Sequence, residues 1–184
     1  MNSKKIEQLV KQLITEIGEK PGREGLADTP KRVAKSFEKL YGGYKEDPKK
    51  IITVFDNEGY DEMIIAKDVD FYSMCEHHML PFFGKVYIGY LPNDKIIGLS
   101  KLPRMVEIFA RRLQNQERLT KQIADTLNSL LKPKGIGVVI KASHLCMKAR
   151  GVERQNCEIT TSAFTGLFKS QLNTRSEFLN LISN

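Results

Sequence analysis

Cys75-Glu76-His77-His78 and His144-Leu145-Cys146 hold the side chains of this sequence best suited to chemistry. All three histidines lie in these two segments, together with two of the three cysteines. Thiolate sulfur and imidazole nitrogen make a donor set that suits zinc. Cys75 and His78 are three residues apart, so both can reach one ion from a turn or a first helical turn, but not from an extended strand. Period-two alternation over Gly135 to Met147 puts Val138, Ile140, Ala142, His144 and Cys146 on one strand face, which aims His144 and Cys146 at one spot. Two arrangements fit. A closed structural site adds Cys157 or a second histidine to Cys75, His78 and Cys146. An open site uses those three alone and leaves a position for water, whose pKa zinc lowers from about 15.7 to about 7. In the open case His77 and His144 stand beside the ion as proton donors or acceptors near neutral pH. The plain alternative is a set of buried thiols and a core histidine.

A second group of residues suits an anion. Ile97-Gly98-Leu99-Ser100-Lys101-Leu102-Pro103-Arg104 reads as a strand running into a helix N-terminus, where free N–H groups and the helix dipole favour phosphate. Ser100 adds a hydroxyl, and Lys101 and Arg104 add charge; the bland reading is a helix capped by Ser100 with solvated cations. Lys148-Ala149-Arg150 follows the metal strand and supplies more cation. Gln116-Glu117-Arg118 opens a further helix. Glu117 there either complements the dipole or, in a pocket, accepts two N–H bonds from a guanine edge.

The elements that must position these groups are readable from periodicity. Ile6, Leu9, Val10, Leu13, Ile14 and Ile17 predict one helix. Thr29, as cap before Pro30, opens a second with Val33, Ala34, Phe37, Leu40 and Tyr41 on its apolar face. Met63 to Met74 is β-rich. Gly84 to Leu91 alternates as a half-buried strand, and Pro92-Asn93-Asp94 turns it into Lys95 to Leu99 as a hairpin. Two helices follow, one on Leu102, Val106, Phe109 and Leu113 and one on Leu119, Ile123, Leu127 and Leu131. Strands over Gly135 to Met147 and Glu158 to Phe164 come next. Thr174 and Glu177 have capping-box spacing before a last helix. Helices, hairpin, helix pair, strand pair and helix do not alternate singly, which predicts an α+β fold: an antiparallel sheet with helices on one face. The expected organisation is a single domain over 1–184, with an N-terminal helical appendage at 1–45 and a catalytic part at 60–184.

The totals bound the function. The chain has 184 residues, 41% of them apolar, and a formal charge of +7 at pH 7. The charge suits an anionic partner, but without a block of consecutive basic residues or an aromatic-interleaved basic stripe no nucleic-acid partner is expected. The longest apolar runs are too short to span a bilayer, and no membrane partner is expected. Three cysteines, an odd number, argue against a disulfide framework, and with no signal-peptide pattern at the N-terminus the expected location is the cytoplasm.

Taken together, these strings resemble GTP cyclohydrolase I. The matching segments are Met74-Cys75-Glu76-His77-His78, Ile97-Gly98-Leu99-Ser100-Lys101, Gln116-Glu117-Arg118-Leu119-Thr120, His144-Leu145-Cys146-Met147, Lys148-Ala149-Arg150-Gly151 and Thr174-Arg175, in the family's order. The resemblance implies Zn2+ as cofactor with Cys75, His78 and Cys146 as its ligands, hence an open site. It implies that Glu117 holds the guanine, with Gln116 and the Gly98-Leu99 backbone nearby. Ser100, Lys101, Arg104, Arg150 and Arg32 match positions around the ribose and triphosphate, and His77 and His144 match proton-transfer histidines, with Ser100 also in the catalytic group. The implied reaction converts GTP and water to 7,8-dihydroneopterin triphosphate and formate, the first step of folate and tetrahydropterin synthesis. Zinc-activated water attacks C8, and an Amadori rearrangement and ring closure follow. The implied fold is the tunnelling fold, assembled as a homodecamer of two pentamers with active sites at subunit interfaces. Two other readings are a non-catalytic zinc-stabilised nucleotide-binding module and another tunnelling-fold enzyme acting on a pterin or deazapurine.

Overall fold

Val86, Ile88 and Tyr90 alternate with smaller or polar neighbours, and that alternation becomes the middle of a sheet. The computed structural model describes residues 1–183. They fall into two units, residues 1–42 and 43–183. The first contains α1 (Ser3–Glu16) and α2 (Thr29–Leu40). The second runs β1 (Val54–Asp56), β2 (Ile64–Cys75), β3 (Pro81–Leu91), β4 (Lys95–Ile97), α3 (Lys101–Ala110), β5 (Leu113–Gln114), α4 (Gln116–Leu131), β6 (Gly135–His144), α5 (Leu145–Lys148), β7 (Ile159–Thr165), α6 (Gly166–Ser170) and α7 (Leu172–Ser183). No described helix is long and apolar enough to cross a membrane.

In the first unit α1 packs on α2, and Ile14 and Ala34 are buried. The predicted apolar face of α1 is only partly used. Leu9, Leu13 and Ile17, spaced by four, are 51%, 60% and 69% exposed. Asp28, not Thr29, stands at the N-cap of α2, and Pro30 sits in its first turn, where its missing N–H costs nothing.

The second unit is built on a five-stranded sheet in the order β5-β2-β3-β6-β7. All its pairings are antiparallel except the short β2–β5 pair. Period two sends Phe82, Val86, Ile88 and Tyr90 of β3 and Ile136, Val138, Ile140 and Ala142 of β6 to one face, where they meet α3 and α4. Leu102, Met105 and Val106 from α3 and Leu119, Ile123 and Leu127 from α4 complete this core, all essentially buried. Each such side chain contributes about 1.5–3 kcal/mol on burial. This is the α+β arrangement expected, built on an antiparallel sheet, but helices cover both of its faces rather than one: α6 and α7 add a smaller cluster on the opposite face, where Phe168 and Phe178 meet Tyr87 and Val139. Glycine is required there: a Cβ on Gly137 would lie 2.7 Å from the Phe168 ring and 3.0 Å from that of Phe178.

Besides the cap of α2, four local expectations are corrected. The hairpin from β3 into Lys95–Leu99 does not form. Both edges of β3 are taken by β2 and β6, so β4 pairs with β1 instead. The strand expected to reach Met147 ends at His144, and Leu145–Lys148 is a helical turn, so Cys146 does not share a strand face with His144. Ser100 occupies the N-cap position of α3 but has helical backbone and makes no side-chain cap bond. Thr174 and Glu177 lie inside α7, which starts at Leu172, so they form no capping box ahead of it.

Candidate active site

Cys75 is the last residue of β2, and its side chain joins the core on the face covered by α3 and α4. The chain then turns sharply. Met79 N–H donates to Cys75 O at 2.8 Å and Cys75 N–H to Leu80 O at 2.8 Å, with Met79 at φ 54°. This turn carries His77 and His78 outward, both exposed. Cys146 arrives from the other side, on the helical turn that ends β6. The result is a cluster in which one ligand atom each from Cys75, His78 and Cys146 lies within 4.8 Å of the others. Cys75 Sγ is 3.7 Å from His78 Nδ1 and 3.9 Å from His77 Nδ1. Among the described residues Cys157 joins no such group.

The donor chemistry of this cluster fits a soft or borderline cation. Burial, and then the adjoining Cys75 sulfur, push the Cys146 thiol above its ordinary range. Two thiolates side by side repel; a cation between them removes that penalty and takes both as ligands. Arg150 stands at the rim, its Nη1 2.9 Å from His78 Nε2.

The turn is tied to the start of α4. Glu76 N–H donates to Gln114 O at 2.9 Å. The Glu76 carboxylate accepts from Asn115 Nδ2 at 2.9 Å and from the Arg118 guanidinium. These donors, Arg118 first, hold its carboxyl below the usual carboxylate range. Asn115 works in two directions, because its Oδ1 also accepts from Arg118 N–H at 2.8 Å and caps α4. Glu76, Asn115 and Arg118 were not singled out from the sequence for this purpose. The available signal was an Asn directly before a helix with Glu in its first turn.

His144 ends β6 on the face toward α4. Its ring stacks on Phe82, centroids 4.7 Å apart and planes 5° from parallel. Its Nε2 is 2.7 Å from Gln116 Oε1. Burial lowers the His144 pKa, and nearby Glu117 opposes that shift.

Cys75, His77, His78, Gln116, Glu117, His144 and Cys146 all line one cavity of about 270 Å³. Glu117 is exposed and also borders a second groove of about 330 Å³ along β7. The β4–α3 corner, with Gly98, Leu99, Ser100, Lys101 and Arg104, is not part of that lining. Arg32 belongs to the other unit, where it faces Asp28 at 3.7 Å.

Comparison with known proteins gives the lineage. GTP cyclohydrolase 1 of Wolinella succinogenes is 57% identical over 182 residues, covering 97% of this chain and 97% of that one. The Chlorobaculum tepidum protein of the same name is 58% identical over 177 residues, covering 95% and 79% of the two chains. That of Leptospira biflexa is 52% identical over 179 residues, covering 96% and 97%. Residues 6–183 match the family described as GTP cyclohydrolase I. On identity and coverage of this order, the chain is an enzyme that belongs to the GTP cyclohydrolase I family.

Proposed function

We propose that this enzyme converts GTP and water to formate and 7,8-dihydroneopterin triphosphate, with zinc held by Cys75, His78 and Cys146. The observation that carries the reading is the convergence of those three ligand atoms in a cavity that His144 and Glu117 also line. A zinc ion held there supplies Lewis acidity, enough to bring water toward deprotonation near neutral pH.

The remaining roles fall to the chain's own groups. Glu117, exposed on the first turn of α4, accepts two N–H bonds from the guanine edge and orients the purine. His144, kept neutral near pH 7 by burial, accepts a proton, and the exposed His77 exchanges one with solvent. Arg150, at the cavity rim, meets the triphosphate. Ser100, Lys101, Arg104 and Arg32 complete the ribose and triphosphate contacts, with the Gly98-Leu99 backbone beside the base.

Assembly into a homodecamer of two pentamers follows from the same reading. A cavity of about 270 Å³ falls below the roughly 300–1,000 Å³ usual for ligand pockets, and GTP is a large ligand. The walls of the β4–α3 corner would then come from a second copy. The exposed row Leu9, Leu13 and Ile17 on α1 offers apolar surface for such packing. Unpaired cysteines acting as metal ligands suit a reducing compartment, and the cytoplasm is the proposed site of action. The first product of the folate and tetrahydropterin route would be made there.

Incubation of the zinc-replete protein with GTP tests the reading. Formate release and a fluorescent pterin after oxidation are expected in equal amounts. Failure to form either under reducing conditions, with one zinc bound per chain, refutes it.

A further inference from the structure

Gln116 is 2% exposed, and every polar atom of its side chain is used inside the protein. Its Nε2 lies 2.9 Å from Ile159 O, 3.1 Å from Ile140 O and 3.1 Å from Thr161 Oγ1. Its Oε1 lies 2.7 Å from His144 Nε2. Reversing the amide would set its oxygen against two main-chain carbonyl oxygens, neither of which can donate. The hydroxyls agree with the unreversed amide. Thr120 Oγ1 donates to Gln116 O at 2.7 Å, which uses its one proton. The 2.6 Å contact between Thr120 and Thr161 therefore has Thr161 as donor. Thr161 Oγ1 then accepts a share of one of the two Gln116 N–H hydrogens, which serve three acceptors between them.

With the amide fixed, Oε1 can only accept, so His144 Nε2 must carry the hydrogen. In a neutral imidazole the lone pair then sits on Nδ1. The Phe82 ring, parallel to that of His144, restrains the ring rotation that would swing Nε2 away from Gln116 Oε1 and put Cε1 in its place.

We infer that Gln116 is a positioning residue: it fixes the neutral His144 ring as the Nε2–H tautomer, with the lone pair on Nδ1. This revises the expectation that Gln116 contacts substrate. Its catalytic meaning rests on the proposed function of His144, whereas the tautomer does not.

Histidine-selective 15N labelling with long-range 1H–15N correlation reads the tautomer, and only three histidines need assignment. In wild-type protein, zinc-free and zinc-loaded, His144 is expected to be protonated on Nε2. Protonation on Nδ1 overturns the inference, and this measurement stands even where a variant fails to fold. Gln116→Leu is expected to give a mixture of tautomers. Its kcat should fall on the order of 10²–10⁴-fold, the usual scale for one proton-transfer group, with KM for GTP and zinc content unchanged. A raised KM with unchanged kcat makes Gln116 a substrate contact and refutes the positioning role. Wild-type protein that shows the Nε2–H tautomer but releases no formate refutes the activity and leaves the tautomer assignment standing.

Discussion

Replacing Asn115 separates two duties of one side chain. Its Oδ1 caps α4 through Arg118 N–H, and its Nδ2 holds the Glu76 carboxylate of the ligand-bearing turn. Asn115→Ala removes both. Loss of an N-cap costs about 1 kcal/mol. For a chain of this length that lowers the melting temperature by about 2–4 °C. Glu76 is partly exposed and keeps its Arg118 partner, so losing the Asn115 hydrogen bond is expected to register in zinc affinity more than in stability. Groups that orient a metal-binding segment typically change affinity by about 10–100-fold, and the lower end is expected for a partner one step removed from the ligands. Asn115→Ser discriminates the two effects. Serine still caps the helix but is too short to reach Glu76, so it should melt within a degree or so of wild type while binding zinc about 10-fold more weakly. Thermal melts and zinc competition with a chromogenic chelator measure both quantities on each variant. If Asn115→Ala binds zinc as tightly as wild type, or if Asn115→Ser melts with the alanine variant, the assigned division of labour is wrong.

Three further outcomes are expected. His144→Ala should retain one zinc per chain yet lose turnover by about 10²–10⁴-fold, measured as formate release; near-normal turnover removes His144 from the proton-transfer role. Cys146→Ser should lose stoichiometric zinc, whereas Cys157→Ser should keep both zinc and activity, because Cys157 lies outside the ligand cluster; metal analysis of the two purified variants decides. Gly137→Ala should destabilise the protein by about 1–3 kcal/mol in urea unfolding, since its Cβ would press on Phe168 and Phe178, while activity per folded molecule stays intact.

The sequence was most legible where a single period dominated. Alternation along β3 and β6 and the helical stripes of α3 and α4 predicted the main core directly, whereas the burial of the other face of β3 and β6 by α6 and α7 was not foreseen. It was least legible where pairing depends on distant chain. Nothing local to Lys95–Ile97 says that β3 has no free edge, so a turn sequence after β3 reads as a hairpin although β4 pairs with β1. Strand parity carried His144 correctly to the α4 side but was extended three residues too far, to Met147. Leu145–Lys148 curls into a helical turn, and it is this curl that brings Cys146 to Cys75 and His78. The cysteine and histidine types pointed to the right neighbourhood despite that error, because donor chemistry does not depend on knowing the backbone path. The amide chemistry around Gln116 was invisible for the opposite reason. It depends on Ile140, Ile159 and Thr161, which only the sheet brings together.

The start of α4 explains why these parts act as one site. Residues along a helix rotate by about 100° each, so three in succession point three ways. Asn115 reaches back to the turn that carries Cys75 and His78, Gln116 enters the protein to hold His144, and Glu117 faces the cavity. The candidate metal cluster, the half-buried His144 and the proposed guanine acceptor are therefore indexed to a single helical register. Moving the helix start by one residue would put a carboxylate where the Gln116 amide now donates to two carbonyl oxygens, and would leave the cavity with arginine in place of Glu117. The cap at Asn115 guards against that slip. The Asn115 side chain is in this way tied both to the helix start and to the turn beside it, and its removal should reach stability and metal affinity together even though Asn115 is not one of the proposed metal ligands.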